Sequence, residues 1–177
     1  MASGKLAAGM NIRLDRKRKL TIRPAIEIDL DQINHLITAS IAGWNLSERV
    51  KRLALSSYHY KPDDLSHFEL WVAQNEKNIA GIIALDKQLT SNHKEQPALL
   101  VHGLYVLPEY QRQHIGSQLI ALAQQRASDL GAEGILLKAI RDAENFFSAI
   151  GMKKQPVIDS QRDYDRCYWQ ACPAKHL

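Results

Sequence analysis

The stretch from Leu104 to Ser117 holds the residues whose types and spacing fit chemistry most readily. A β-type run ends at Pro108, a polar turn follows, and a helix opens with Gly116 in its first turn. The first amides of a helix have no acceptor inside it, and the helix dipole makes that end positive. Arg112 would add charge and Ser117 a hydroxyl, so the turn predicts a phosphate or pyrophosphate site. A plain helix start has the same pattern and remains an alternative.

The elements that must position this turn follow from hydrophobic periodicity. Apolar runs predict about seven strands, at 19–23, 68–74, 79–86, 98–107, 134–140, 152–158 and 164–171. Helical spacing predicts about four helices, at 26–40, 47–55, 115–131 and 143–150. The order is strand, two helices, three strands, helix, strand, helix and two strands. This order predicts an α/β or α+β sheet wrapped by helices.

Length and charge define the domain and limit its partners. The 177 residues indicate one domain at 18–177, after an N-terminal leader at 1–17 that is disordered or left by cloning. The net charge of +4 suits an anionic ligand, and the basic residues are too sparse to predict a specific nucleic-acid site. The basic cluster at 16–19 indicates a solvated lead-in, with an interaction arm as the alternative.

Apolar runs and cysteines bear on the compartment. The apolar runs are too short for a membrane span, so no membrane partner is expected. Cys167 and Cys172 lack the spacing of a disulfide framework, which favours the reducing cytoplasm. The seven histidines are scattered without a ligand pattern, so no metal is expected.

The turn and its flanking segments resemble the GNAT superfamily of acetyltransferases. The family signature is Gln or Arg, two variable residues, Gly, one variable residue, then Gly or Ala, and Gln111–Gly116 occupies those six positions. His114 stands where the family usually has its first glycine. Further matches in the same order are Arg23-Pro24-Ala25 with Asp29, Leu104-Tyr105-Val106 before Pro108, and 143–147 followed by Gly151-Met152.

This resemblance implies a fold and a cofactor. The expected fold is a GNAT-like mixed, largely antiparallel sheet whose fourth and fifth strands, here at 98–107 and 134–140, splay apart. The expected acyl donor is acetyl-CoA, with its pantetheine arm in the gap and the Leu104 amide directed at the thioester carbonyl. The residues expected to bind it are Leu104, Tyr105, Val106, Gln111, Arg112, Gln113, His114, Ile115, Gly116, Ser117, Asn145 and Phe147.

The same resemblance suggests how protons move. His102 lies on the fourth strand, two residues before Leu104, where some aromatic-amine acetyltransferases of this superfamily carry a histidine. A histidine pKa near 6.5 suits a general base, although a half-buried strand histidine bonded to backbone is the alternative. Phe147 occupies the position of the usual tyrosine acid, so Tyr168, Cys167 or water would supply the proton.

The resemblance also implies that the loop between the first two helices and the late strands shape the acceptor site. The candidate acceptor-binding residues in these segments are Trp44, Asn45, Tyr58, His59 and Tyr60, followed by the acidic Asp63 and Asp64. Aromatic rings suit an apolar or aromatic amine or a stacked cation, and core packing is the alternative for Trp44 and Tyr58.

Three functions are consistent with these residues. The first is a cytoplasmic N-acetyltransferase that transfers an acetyl group to a primary amine of a small molecule or a protein, as a monomer or a homodimer. The second is a non-catalytic acyl-CoA-binding module of the same fold. The third is a basic partner-binding protein that binds no coenzyme A.

Overall fold

The computed structural model describes residues 10–12, 20–76, 78–161 and 163–173, and its centre is one nine-stranded sheet. The strands are β1 Met10–Ile12, β2 Leu20–Pro24, β3 Phe68–Gln74, β4 Ile79–Asp86, β5 Thr90–Ser91, β6 Pro97–Val106, β7 Gly134–Lys138, β8 Lys153–Lys154 and β9 Cys167–Ala171. The α-helices are α1 Leu30–Ala42, α2 Glu48–Tyr58, α3 Ile115–Asp129 and α4 Glu144–Ala149. Short 3-10 turns lie at Glu27–Asp29, Pro62–Ser66, Pro108–Tyr110 and Arg141–Ala143.

The sheet has the order β1-β2-β3-β4-β6-β7-β9-β8, with β5 paired to the start of β6. Among the described strands, β6 and β7 form the only parallel pair, and every other pair is antiparallel. The predicted mixed, largely antiparallel sheet is therefore confirmed. The strand predicted as the fourth is β6, because two short strands were not anticipated from sequence.

The two short strands, β1 and β5, are recognised by their hydrogen-bonded partners and not by a hydrophobic pattern in the sequence. β1 lies inside the predicted leader and pairs with β2, whereas the basic cluster at 16–19 lies outside the described residues. β5 lies in the connection at 88–96, which the sequence indicated only as polar. Runs of two or three residues are too short to show a hydrophobic period.

The sheet has helices on both faces, which divide the core in two. On the α1 face, Ile33, Leu36 and Ile37 pack against alternate residues of the central strands, including Ile82 and Tyr105. On the α3 face, apolar residues of α3 pack against the intervening positions of the same strands; they are Ile115, Leu119, Ile120, Ala123 and Ala127. The two faces thus carry different elements to the same strand β6.

The predicted hairpin, the start of the second helix and the glycines after the last two helices are confirmed, whereas the first helix, predicted at 26–40, begins only at Leu30 after a 3-10 turn, and the second runs on to Tyr58. β3 and β4 pair from Phe68 opposite Asp86 to Gln74 opposite Ile79. Ser47 caps α2, where its side chain accepts a hydrogen bond from the Val50 amide. Glycines with φ of +79° and +87°, conformations that side chains disfavour, follow α3 and α4 at Gly131 and Gly151.

The predicted strand at 152–158 was too long. Regular pairing covers only Lys153–Lys154, and one more bond runs from the Gln155 amide to the Cys167 carbonyl at 2.7 Å. Pro156 follows and has no amide to donate, which ends the ladder. The last strand likewise begins at Cys167 rather than near 164.

The match at Arg23-Pro24-Ala25 with Asp29 has a structural cause. The Arg23 guanidinium donates to both carboxylate oxygens of Asp29, at 2.7 and 2.9 Å, and to the Gln74 side chain at 2.7 Å. The same carboxylate accepts from the Ile26 amide at 2.8 Å, which fixes the start of the turn before α1. The Arg23 bond is the main reason that the pKa of Asp29 lies below its ordinary range.

We expect Asp29→Ala to lower the free energy of unfolding by about 1–3 kcal/mol, because the half-buried Arg23 loses its charged partner. A carboxyl with a lowered folded pKa stabilises the fold above its ordinary pKa and loses that effect as pH falls through the folded pKa. The difference from the native protein should therefore shrink below about pH 4. Denaturant titrations at several pH values measure it, with exposed Asp31→Ala as the control. Equal effects of both substitutions would contradict the account.

Candidate active site

A β-bulge lies at His102, on the central strand β6. Ala84 on β4 lies opposite Gly103, but the next residue, Leu85, lies opposite Val101. His102 is therefore the extra residue on β6, and its side chain lies on the α1 face. A bulge bends its strand and redirects a side chain, which is why such positions recur beside active sites.

The gap between β6 and β7 opens at this bulge. The last parallel pair is Val101 opposite Leu137, whereas β6 continues to Val106 and β7 to Lys138. The predicted splay of these two strands is therefore confirmed.

The polar groups of β6 face this gap at alternate residues. The Leu107 amide donates to the Ala80 carbonyl beside β4 at 2.9 Å. Because backbone groups alternate sides along a strand, those of Tyr105 also face β4. The amides and carbonyls of Leu104 and Val106 consequently face the gap.

The turn before α3 has a backbone that glycine would adopt most easily. Arg112 and His114 both have φ of +60°, and His114 is the residue directly before α3. The amides of Ile115, Gly116 and Ser117 precede the first bond within the helix, from the Gln118 amide to the His114 carbonyl. The position where the family usually has glycine is thus a left-handed one, which His114 occupies at a conformational cost.

Gly116 has a packing role that the sequence did not reveal. A Cβ at this position would lie 2.9 Å from the Phe146 ring of α4. Phe146 therefore packs against the turn, while its neighbour Phe147 is buried against the ring of Tyr168, with centroids 6.0 Å apart. Asn145 lies on the exposed side of α4.

His102 has aromatic neighbours on two sides. Its Nδ1 lies 3.1 Å from the Tyr60 hydroxyl, and its ring lies 4.2 Å from the Phe68 ring, tilted by 32°. The side chain is exposed, yet these rings cover enough of it that desolvation lowers its pKa, against the attraction of Asp86 and Asp64. The residue is therefore neutral at neutral pH, as a base must be.

Further aromatic rings continue along the α1 face from His102. Trp44 lies edge-on to Tyr58 at 5.4 Å and stacks on Tyr105 at 6.4 Å. His59 does not join this group, because its Nε2 is bonded to Thr38 on α1 at 2.8 Å. The predicted acceptor residues are thus divided between an aromatic wall and a structural contact.

The loop after α1 reaches the open end of the gap. The Asn45 amide donates to the Asp142 carboxylate at 2.8 Å, which joins this loop to the turn before α4. The Ser40 hydroxyl of α1 donates to the Val106 carbonyl at 3.4 Å.

The two acidic residues predicted near the acceptor lie in the turn before β3. The Asp64 carboxylate caps that turn by accepting from the Lys61 amide at 2.7 Å, and Asp63 is exposed.

The two proton donors suggested on β9 differ in their surroundings. The Tyr168 hydroxyl donates to Glu144 at 2.8 Å, and its pKa is raised by burial and then by this bond. Burial also raises the pKa of the half-buried Cys167 thiol. Neither group is activated as an acid by its surroundings.

Sequence reasoning missed Phe68 and Asp86 as neighbours of His102. The hairpin register that pairs them could have revealed them, because it places both side chains on one face near β6. Beside them lies a cleft of about 220 Å³, lined by Ser66, His67, Phe68, Asp86, Lys87 and Gln88. A larger depression of about 360 Å³ lies at the opposite end of β6 and β7, around Gly131 and Pro173, away from this chemistry.

Two features were not found among the described residues. Those residues contain no group of three or more His, Cys, Asp or Glu side chains arranged to hold a metal ion. Within the same part of the chain, no helix combines the length and apolar character needed to cross a membrane.

Known proteins resemble this chain in sequence and in fold. Residues 66–153 match the family model of the acetyltransferase (GNAT) domain. A search of the curated proteins finds no match to the chain. The matched region runs from the turn before β3 to β8 and so contains the bulge, the gap and the turn before α3.

Solved structures with the same fold include PaiA N-acetyltransferase from Thermoplasma acidophilum in complex with coenzyme A. It is 20% identical, with 86% of this chain and 98% of that chain covered and a TM-score of 0.68. A GNAT family acetyltransferase from Brucella melitensis in complex with acetyl-CoA is 18% identical, covers 88% and 89%, and has a TM-score of 0.60. A KacTA–DNA complex is 16% identical, covers 86% and 93%, and has a TM-score of 0.59.

The fold and the matched domain define a class of acyl-transfer proteins. The chain belongs to the GNAT superfamily of acetyltransferases.

We predict that His114→Gly raises the free energy of unfolding by about 1 kcal/mol, because glycine adopts a positive φ without the steric cost that a side chain incurs. The control is His35→Gly at an exposed position of α1, which should lower stability by about 1 kcal/mol. Thermal or denaturant unfolding of both variants measures the difference. Destabilisation of both to the same extent would show that residue 114 is not held in this conformation.

Proposed function

We propose that this protein is an N-acetyltransferase that transfers the acetyl group of acetyl-CoA to the primary amine of a small molecule or a protein. The observation that carries the proposal is the gap beyond Val101, where Leu104 and Val106 present backbone groups beside the bulged His102. Acetyl-CoA supplies an acetyl thioester activated for attack by an amine.

The cofactor site proposed for this chain spans the gap and the α3 face. The backbone of Leu104, Tyr105 and Val106 would bind the pantetheine arm. The turn from Gln111 to Ser117 would bind the pyrophosphate through its amides and through the charge of Arg112. Phe146 would support this turn from α4, and Asn145 and Phe147 complete the proposed set.

His102 approaches the same gap from the α1 face. In this proposal it removes a proton from the acceptor amine, and its lowered pKa keeps it neutral for that role. The Leu104 amide donates a hydrogen bond to the thioester oxygen, where negative charge develops. The two faces of the sheet would therefore serve the two substrates.

The departing thiol needs little help. A thiol has a pKa of about 8.5, so its anion leaves without a strong acid. Water is the proton source we favour, because Phe147 has no proton to give and the Tyr168 hydroxyl is bonded to Glu144.

The acceptor would lie against the aromatic wall of Trp44, Tyr58 and Tyr105. Rings at this position suit an amine with an apolar or aromatic body, and the carboxylates of Asp64 and Asp86 favour its cationic form on approach. A cytoplasmic location remains part of the proposal and rests on the cysteine pattern.

A non-catalytic acyl-CoA-binding module is the alternative. The buried Phe147, where the family usually has a tyrosine, favours it. Such a module would bind acetyl-CoA but would not turn it over.

We expect acetyl-CoA to stabilise the protein by about 2.7 kcal/mol at a hundredfold excess over Kd. Ser117→Glu should abolish that thermal shift, because a carboxylate in the first turn repels phosphate while it remains favourable to the helix dipole. Ala121→Glu, on the exposed side of the next turn, is the matched control and should keep the shift. A native protein whose melting temperature does not move would reject both coenzyme A functions. Equal shifts in both variants would place the phosphate site elsewhere.

We predict that His102→Ala loses turnover by about 10²–10⁴-fold while the acetyl-CoA thermal shift is kept. Native activity should fall as pH drops through a midpoint below the ordinary value of 6.5, since His102 must be neutral. Residual activity of the variant should recover at high pH, where free amine is abundant. Free-thiol release across a panel of amines measures this, with exposed His35→Ala as the control. A stable variant with native turnover at neutral pH would exclude the base role.

A further inference from the structure

Tyr60 lies between the end of α2 and the active strand. Both its backbone amide and its backbone carbonyl are hydrogen-bonded to a side chain of α1. Its amide donates to the Asn34 side chain at 2.8 Å, and its carbonyl accepts from the same side chain at 2.8 Å. Tyr60 is 5% exposed, so packing fixes the position of its hydroxyl relative to the sheet.

The hydroxyl reaches His102 because residue 103 has no side chain. A Cβ at Gly103 would lie 2.9 Å from the Tyr60 hydroxyl oxygen and 2.8 Å from the Tyr105 ring. Gly103 does not adopt a left-handed φ, so its role is to leave space. Any other residue would push the hydroxyl away from the bulge.

The imidazole ring of His102 is thus contacted on one face and at one nitrogen. Phe68 covers the ring at 4.2 Å, and the Tyr60 hydroxyl lies 3.1 Å from Nδ1. The charged groups that face the imidazole are Asp86 at the end of β4 and Asp64 in the turn before β3. Among the described residues, the Tyr60 hydroxyl is the group found in hydrogen-bond contact with Nδ1, and a hydroxyl can either accept from Nδ1–H or donate to the bare nitrogen.

We propose that Tyr60 is a positioning residue whose hydroxyl accepts the Nδ1–H of His102 and so leaves Nε2 as the nitrogen that takes the proton of the acceptor amine. This inference rests on the proposed function of His102. Proton balance is simple: Nε2 gains one proton from the amine, the ring becomes cationic, and Nδ1–H remains on the hydroxyl throughout. Burial raises the pKa of Tyr60, so the hydroxyl keeps its own proton over the working range.

The direction of one pKa change tests the donor and acceptor roles. A hydroxyl that accepts from Nδ1–H stabilises the cationic ring more than the neutral ring, and its loss in Tyr60→Phe should lower the His102 pKa further. A hydroxyl that donates to Nδ1 stabilises the neutral ring, and its loss should raise that pKa. The two assignments therefore predict shifts of opposite sign.

The experiment is a nitrogen-15 NMR titration of histidine-labelled protein, with the His102 signals assigned by their loss in His102→Ala. We expect the native protein to show His102 with Nδ1 protonated and Nε2 bare. Tyr60→Phe should lower the titration midpoint, populate the other tautomer and reduce kcat by about tenfold at neutral pH, with the KM for acetyl-CoA unchanged. Gly103→Ala, which keeps the hydroxyl but displaces it, should reproduce the tautomer change.

The control is Tyr110→Phe, which removes another buried tyrosine hydroxyl with a polar partner, Asn75, on the opposite face. It should leave the His102 titration and kcat unchanged. A native His102 protonated at Nε2, or a midpoint that rises in Tyr60→Phe, would overturn the positioning role. A tautomer change in Tyr60→Phe together with native turnover in His102→Ala would instead retain the contact and reject the base function.

Discussion

The end of the parallel pairing between β6 and β7 is the constraint on which the site depends. A strand inside a sheet normally has both rows of backbone groups paired, because a buried and unpaired amide is costly. β6 keeps its partner β4 to the end but loses β7 beyond Val101. The backbone groups of Leu104 and Val106 are thereby directed into a gap rather than into a ladder. In the proposed function, the pantetheine arm pairs with these backbone groups in the gap, where the Val106 carbonyl otherwise accepts only from the side chains of Ser40 at 3.4 Å and Gln111 at 3.3 Å.

The bulge at His102 begins where the pairing ends, and the two features act together. Without the extra residue, successive residues of β6 would alternate between the two faces of the sheet. His102 and Gly103 would then lie on opposite faces rather than both on the α1 face. With it, His102 lies beside Tyr60 and Phe68 while Leu104 keeps its backbone toward the gap. In the proposed function, the sheet therefore separates the turn that would bind phosphate, on the α3 face, from the aromatic wall on the α1 face.

The sequence predicted the strands and helices that bury a full hydrophobic stripe, and it predicted the turn from Gln111 to Gly116 as the chemically distinctive segment. It missed β1 and β5, and it overextended the strand at 152–158, because pairing partners rather than side-chain patterns define those short runs. It also could not find the role of Gly103, since the space that Tyr60 needs is a property of two segments 43 residues apart in the chain.

Residue-resolved amide hydrogen exchange tests the central claim most directly. The account predicts that in the free protein the amides of Leu104 and Val106 exchange faster than that of Tyr105, because strand alternation from the Leu107–Ala80 bond points the Tyr105 amide toward β4 and the other two amides toward the gap. Coenzyme A should slow exchange at Leu104, at Val106 and in the first turn of α3, and leave Tyr105 unchanged. Uniform protection of all three β6 amides in the free protein, or no change on addition of coenzyme A, would contradict it.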